Sequence, residues 1–137
     1  MTTWYDLTIG RLLYKDKVMT NFNYLLGLAG GSTVLAITSS ATPAIDTDQY
    51  NSVDITALAV TITSMTSGLS GTPSNMQKLI IRIKDDGTSR GITWGADYAA
   101  MGVALPSATT LSKVLTVGFL YDSAASTWGC VASAEEA

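Results

Sequence analysis

The sequence predicts a mainly β fold, an antiparallel β-sandwich of the jelly-roll type, preceded by an N-terminal helical arm. Three observations predict it. From Ser32 onward the chain is rich in Thr, Val, Ile, Ala and Ser, and turn residues recur at short intervals. No second helical period follows the first thirty residues, and short strands at such spacing are typical of a sandwich. Residues 1–31 are therefore predicted to form an arm and residues 32–137 a sandwich domain.

The arm is predicted from helical spacing over residues 9–26, where apolar side chains form one stripe and Gly27 ends the pattern. An isolated helix of this length is marginal in water, so the stripe must pack on something. Two interpretations are open: the helix covers the chain's own β-core, or it assembles with copies of itself or a larger body. An aromatic side chain before the helix would suit docking. The predicted assembly interface consists of Trp4, Leu12, Met19, Phe22 and Leu26.

The predicted strands after the arm cover residues 33–38, 52–65, 78–84, 90–95, 112–122 and 127–134. In the second of them, Val53 and Ile55 share one face, whereas Leu58 has the opposite parity. A pleated strand changes parity only by accepting an extra residue, so we expect a bulge near Ala57.

The stretch KLIIRIKDDGTSRGITWG, residues 78–95, predicts a strand, a turn and a return strand. Its apolar residues alternate with Lys78, Arg82 and Lys84, and Ile80 is the exception on the polar face. The run Asp85–Gly87 is typical of a hairpin turn, because aspartates accept local hydrogen bonds and glycine tolerates positive φ. The predicted core residues of the sandwich are Ile81, Ile83, Trp94, Val117, Phe119 and Trp128.

Candidate chemical sites are few. The 137 residues contain no histidine and a single cysteine, Cys130, which excludes imidazole-based catalysis and zinc sites built on several cysteines. Asp46, Asp48 and Asp54 suggest an oxygen-rich calcium loop, but an EF-hand would need glycine at 51 and glutamate at 57. A solvated loop is the favoured interpretation. We therefore predict no catalytic residue, no cofactor and no metal.

Composition restricts the partners. The net charge is −3, which argues against electrostatic capture of nucleic acid. No apolar run approaches the roughly 18 residues of a membrane span, so no membrane insertion is expected. Charged residues make up only 14% of the chain, which indicates that part of the surface is buried against neighbouring subunits. Half of the basic residues fall in one stretch, which is either a patch for an acidic partner or a solvated face.

One half of the chain also carries an ordered pattern: GTP, then LxIRIKDxGTxRxIxWG, LPxxT, GFxY and a closing tryptophan. The pattern resembles a module that recurs in structural proteins of tailed bacteriophages. This chain departs from it at Met76, where the module has glycine, and residues 1–30 lie outside it. The matching residues are Gly71–Pro73, Leu79–Lys84, Asp85, Gly87–Thr88, Arg90, Ile92, Trp94–Gly95, Tyr98, Leu105–Pro106, Thr109, Lys113, Gly118–Phe119, Tyr121 and Trp128.

The resemblance implies a non-enzymatic structural role in the virion, after synthesis in the host cytoplasm. The expected function is that of a head decoration (cement) or head-fibre subunit, a homotrimer that binds the major capsid protein and stabilises the shell. The alternative is a tail-fibre or tail-tip protein that binds a host receptor or surface glycan. Exposed aromatic side chains in a groove would favour the alternative.

Overall fold

The fold is mainly β. The structure is a computed structural model and describes residues 32–137. Its strands are β1 (Val34–Ile37), β2 (Ile45–Asp46), β3 (Ser52–Leu58), β4 (Leu69–Ser70), β5 (Lys78–Asp85), β6 (Tyr98–Ala100), β7 (Val114–Asp122) and β8 (Thr127–Glu135). Within residues 32–137 there is no helix, and therefore none that could cross a membrane.

The predicted helical arm lies outside the described residues and stays a prediction. The same holds for the predicted assembly interface on that arm, which consists of Trp4, Leu12, Met19, Phe22 and Leu26.

The strands form two mixed or parallel sheets, which corrects the predicted antiparallel sandwich. The larger sheet has the order β1-β3-β5-β7-β8-β6, and β2 pairs with β4 in a second sheet. The pairs β1–β3, β3–β5, β6–β8 and β2–β4 are parallel, whereas β5–β7 and β7–β8 are antiparallel. Between β1, β3 and β5 the chain passes through β2 or β4 instead of a tight hairpin, so it returns in the same direction. The result is a solenoid-like stacking of the first five strands.

The bulge predicted near Ala57 is confirmed. Strand β3 pairs with β5 in regular register up to Ile55, opposite Ile83, and the register shifts before Leu58, which lies opposite Asp85. The shift turns Leu58 into the core, where it is fully buried, although it is three residues from Ile55.

Strand β5 alternates between buried and exposed side chains along its whole length. Its buried residues lie opposite buried residues of β7: Leu79 opposite Phe119, and Ile81 opposite Val117. Ile80 points to the other face and stays exposed. Pairing with β3 on one side and β7 on the other places β5 at the centre of the larger sheet.

Residues 90–95 do not form the predicted return strand beside β5. Instead, Ile92 bridges Ile62 in parallel and Gly91 bridges Ala108, with a backbone hydrogen bond of 2.8 Å from Ile92 to Ser107. Both edges of β5 are already occupied by β3 and β7, so no position is left for a hairpin partner. The turn after Asp85 therefore leads into a loop that stacks on an earlier part of the chain.

All six of the predicted core residues are buried and belong to one hydrophobic cluster. The cluster joins the inner face of the larger sheet to Ile45 of β2, with Leu69 of β4 packed against it. The two sheets therefore share one core. Its predicted members are Ile81, Ile83, Trp94, Val117, Phe119 and Trp128.

Candidate interaction surface

The two adjacent aspartates after β5 have separate structural partners. Asp85 is only 4% exposed, and its carboxylate accepts hydrogen bonds from the hydroxyl of Thr109 (2.8 Å) and the backbone amides of Ser112 (2.9 Å) and Gly87 (3.0 Å). A buried carboxylate with three donors is satisfied, so it stabilises the loop that it contacts. This group therefore fastens residues 109–112 to the end of β5.

The pKa of Asp85 reflects two opposing effects. Burial by itself would raise the pKa, because it disfavours the charged form. The hydrogen bonds from Ser112, Thr109 and Gly87, with the positive charge of Arg90, outweigh it and hold the pKa of Asp85 below its ordinary value. The carboxylate is therefore ionised at neutral pH, and it is poorly suited to act as a general acid.

Asp86 belongs to a different interaction. Both of its carboxylate oxygens accept hydrogen bonds of 3.0 Å from the same guanidinium nitrogen of Arg90, four residues later. Gly87 adopts a φ of 98°, and the backbone can turn there without a Cβ clash. The run Asp85–Gly87 thus serves turn geometry and an ion pair.

The aspartates of the loop at β2 also have structural partners. Asp46 accepts hydrogen bonds from the amide of Asp48 and the side chain of Gln49. Asp48 in turn accepts bonds from the amide and hydroxyl of Thr72. Among residues 32–137 there is no group of three acidic, cysteine or histidine side chains placed to hold a metal ion. The carboxylates of this loop hold the loop to the segment that follows β4.

The two tryptophans of the described region lie in the core. Trp94 is 5% exposed and donates its indole N–H to the carbonyl of Pro106 at 2.6 Å. Its ring contacts Tyr98 and Phe119 at centroid distances of 5.3 and 5.2 Å. Trp128 is buried against Tyr121. Neither tryptophan presents a face on which a sugar ring could stack.

Cys130 is fully buried in the same core. Burial raises the pKa of its thiol, because the thiolate would lose its hydration. A thiol in this environment behaves as a small apolar side chain and is not an activated nucleophile.

The remaining candidate is a surface, which we call the β5 outer face and define as Lys78, Ile80, Arg82 and Lys84. All four side chains point away from the core and are exposed. Ile80 lies at its centre with 43% of its surface exposed, a large value for an isoleucine in a central strand. No ion pair joins the three cations to an acidic side chain of residues 32–137. The sequence identified these residues, but it could not show that they share the open side of a six-stranded sheet.

The register extends this face across the sheet. Ile80 lies opposite Gly118 of β7, and Gly118 lies opposite Ala132 of β8. On the other side, one strand beyond β3, the exposed Val34 of β1 falls in the same row. The row carries no charged residue. Its positions on β7 and β8 are glycine and alanine, so the side chains on that side of Ile80 are small.

Met76 stands where the module that the sequence resembles has glycine. Met76 adopts a φ of 66°, in the left-handed region, and its side chain is 62% exposed. A non-glycine residue in this conformation is strained. Its amide donates to the carbonyl of Tyr121 at 2.8 Å, which holds the strained turn in place. The structure thus requires at this position the conformation that glycine adopts most readily.

None of the family models, curated proteins or solved structures with which the chain was compared matches it.

Proposed function

We propose that the chain is a non-enzymatic structural protein of a tailed-bacteriophage particle. Its role is that of a head decoration or head-fibre subunit, which binds and stabilises the capsid as a symmetric oligomer, a homotrimer. The observation that carries this proposal is the structural role of the residues between 71 and 128 that match the bacteriophage module. Its polar and aromatic members bond to one another: Asp85 to Thr109, and Trp94 to Pro106. Because the residues of this pattern stabilise the fold, they favour a structural protein that works by binding its neighbours through its surface.

The physics of such a part needs no reaction. A decoration subunit stabilises a shell by burying surface between neighbouring capsomers, at roughly 25 cal/mol for each Å² of apolar area. A chain with 14% charged residues and exposed isoleucine and valine on an open sheet suits that role better than a solitary soluble domain.

The predicted helical arm is part of this proposal. Residues 1–31, with Trp4 and the stripe from Leu12 to Leu26, would dock on the shell or on neighbouring copies. Deletion of residues 1–30 tests it, because every strand described here begins at or after Val34. We expect the truncated chain to stay folded by circular dichroism and to lose particle binding or assembly. A truncated chain that cannot fold would show that the stripe covers the chain's own core.

The decisive experiment locates the protein on intact particles of the phage that encodes it. Mass spectrometry of purified particles should detect the chain, and electron cryomicroscopy should place it at symmetric positions on the outside of the head. Absence of the chain from purified particles would refute the proposal. Density at the tail or fibre tip would favour the alternative of a receptor- or glycan-binding protein, which gains no support from the buried Trp94 and Trp128.

A further inference from the structure

The β5 outer face combines two properties that rarely occur together on a solvated sheet. Ile80 is exposed at its centre. The residues in register with it on β7 and β8 are Gly118 and Ala132, which are small, so the isoleucine side chain projects above them. Around it stand three cations, Lys78, Arg82 and Lys84. An apolar centre bordered by charge is the usual layout of a protein–protein contact.

The charge of the rest of the described region is opposite in sign. Residues 32–137 contain nine acidic and five basic residues, and three of those five form the β5 outer face. The fourth, Arg90, is paired with Asp86. Beside this face, Asp54 of β3 lies in register with Arg82 on the same side of the sheet and offsets part of its charge. Asp122 of β7 also lies on this side of the sheet by strand alternation, two residues beyond Leu120, which is opposite Lys78. The other acidic side chains, apart from the buried Asp85 and the paired Asp86, are Asp46, Asp48, Asp97, Glu135 and Glu136.

We propose that the β5 outer face binds a second copy of this chain, and that it does so head to tail. Charge complementarity supports this occupant, because the face is basic and the remainder of the same molecule is acidic. A two-fold contact of this face with itself would bring together two sets of three cations, and the carboxylates of Asp54 and Asp122 beside each set offset only part of the repulsion. The contact is therefore heterologous: the β5 outer face of one copy lies on an acidic surface of the next.

Heterologous contacts close into a ring when the rotation between copies allows it. This inference rests on the proposed symmetric oligomer and adds the face that builds it. Nucleic acid is a poorer occupant, since three cations on a chain of net charge −3 release few counterions.

The test uses the full chain in sedimentation velocity over a range of concentrations. The variants Ile80→Thr and Arg82→Glu change the apolar centre and one cation. Their matched controls are Leu111→Thr and Lys113→Glu. Leu111 is an exposed apolar residue outside β5, and Lys113 is the one basic residue of the described region that lies beyond β5 and its turn. A third variant, Gly118→Val, adds bulk to the face. A Cβ at Gly118 would meet only the Cβ of Ala132, at 3.5 Å, which is an ordinary van der Waals contact.

We expect the wild-type chain to form a discrete oligomer that weakens when NaCl is raised from about 50 to about 500 mM. Ile80→Thr, Arg82→Glu and Gly118→Val should each raise the dissociation constant by about tenfold or more, while both controls leave it unchanged. Thermal unfolding of the dissociated variants should match that of the controls, which separates loss of contact from loss of fold.

Two results would overturn the inference. An oligomer that survives all three variants would show that another face builds it, and the proposed function would stand. A monomeric wild-type chain would refute both the contact and the symmetric oligomer. If, in that monomer, Ile80→Thr lowered the unfolding midpoint well below that of Leu111→Thr, a segment of the same chain would be the occupant.

Discussion

The carboxylate of Asp85 accepts a hydrogen bond of 2.8 Å from the hydroxyl of Thr109, and both residues are buried. Twenty-four positions separate them in the chain. The same hydroxyl accepts a hydrogen bond from the amide of Arg90 at 2.9 Å. One buried side-chain pair thus joins the end of β5, the loop after it and the segment that precedes β7.

Asp85→Asn should destabilise the fold by about 1–3 kcal/mol, since an amide cannot accept from all three donors and leaves a buried group unpaired. Urea unfolding measures the loss. Asp86→Asn is the matched control: its ion pair with Arg90 is partly exposed and solvent-screened, so we expect a change of about 0.5 kcal/mol or less. Equal losses in the two variants would contradict the structural role of Asp85.

The same carboxylate predicts a pH dependence. Because the pKa of Asp85 is lowered in the folded state, its contribution is fully present above the unfolded pKa of about 3.9 and is lost as pH falls through the folded pKa. The difference in unfolding free energy between wild type and Asp85→Asn should therefore be constant near neutral pH and shrink below about pH 4. A difference that grows on acidification would mean that burial has raised the pKa instead.

Trp94 should separate packing from hydrogen bonding. Trp94→Ala removes a buried ring that contacts Tyr98 and Phe119, and should cost about 3–5 kcal/mol. Trp94→Phe keeps a ring but removes the donor to Pro106, and should cost about 1–2 kcal/mol. Chemical denaturation gives both values. An unfolding midpoint of Trp94→Ala close to that of wild type would show that the ring is not part of the core.

Met76→Gly should stabilise the protein. The left-handed backbone at Met76 costs of order 1–3 kcal/mol, and its exposed side chain returns little of it. Glycine removes that strain but loses about 0.5–1 kcal/mol through its freer unfolded state. We expect a net gain of about 0.5–1 kcal/mol by thermal or urea unfolding.

The control for that gain is Met101→Gly, at an exposed methionine that does not have a positive φ. It should lower stability by about 1 kcal/mol, since no strain is relieved. A loss in both variants would show that Met76 contributes a contact that outweighs its backbone strain.

Much of the local structure followed from the sequence. Alternation located β5 and β7 and their buried faces, because side chains in a strand repeat every two residues. The parity change at Leu58 located the bulge in β3. The cations of β5 and the exposed Ile80 between them were also visible as a pattern. What covers that face does not follow from the sequence, because alternation shows only which residues share a side of the sheet.

Pairing was decided only by the tertiary structure. The run Asp85–Gly87 has the sequence of a hairpin turn, yet the next segment pairs with Ile62 and Ala108, since β3 and β7 already occupy both edges of β5. The short strands β2 and β4 are absent from the strands that the sequence predicts, because two residues carry no period. Those two strands return the chain to the larger sheet in the same direction, which makes it mixed. Local patterns in this sequence determine strands and faces, whereas strand partners and directions depend on contacts between residues distant in the chain, such as Asp85 with Thr109.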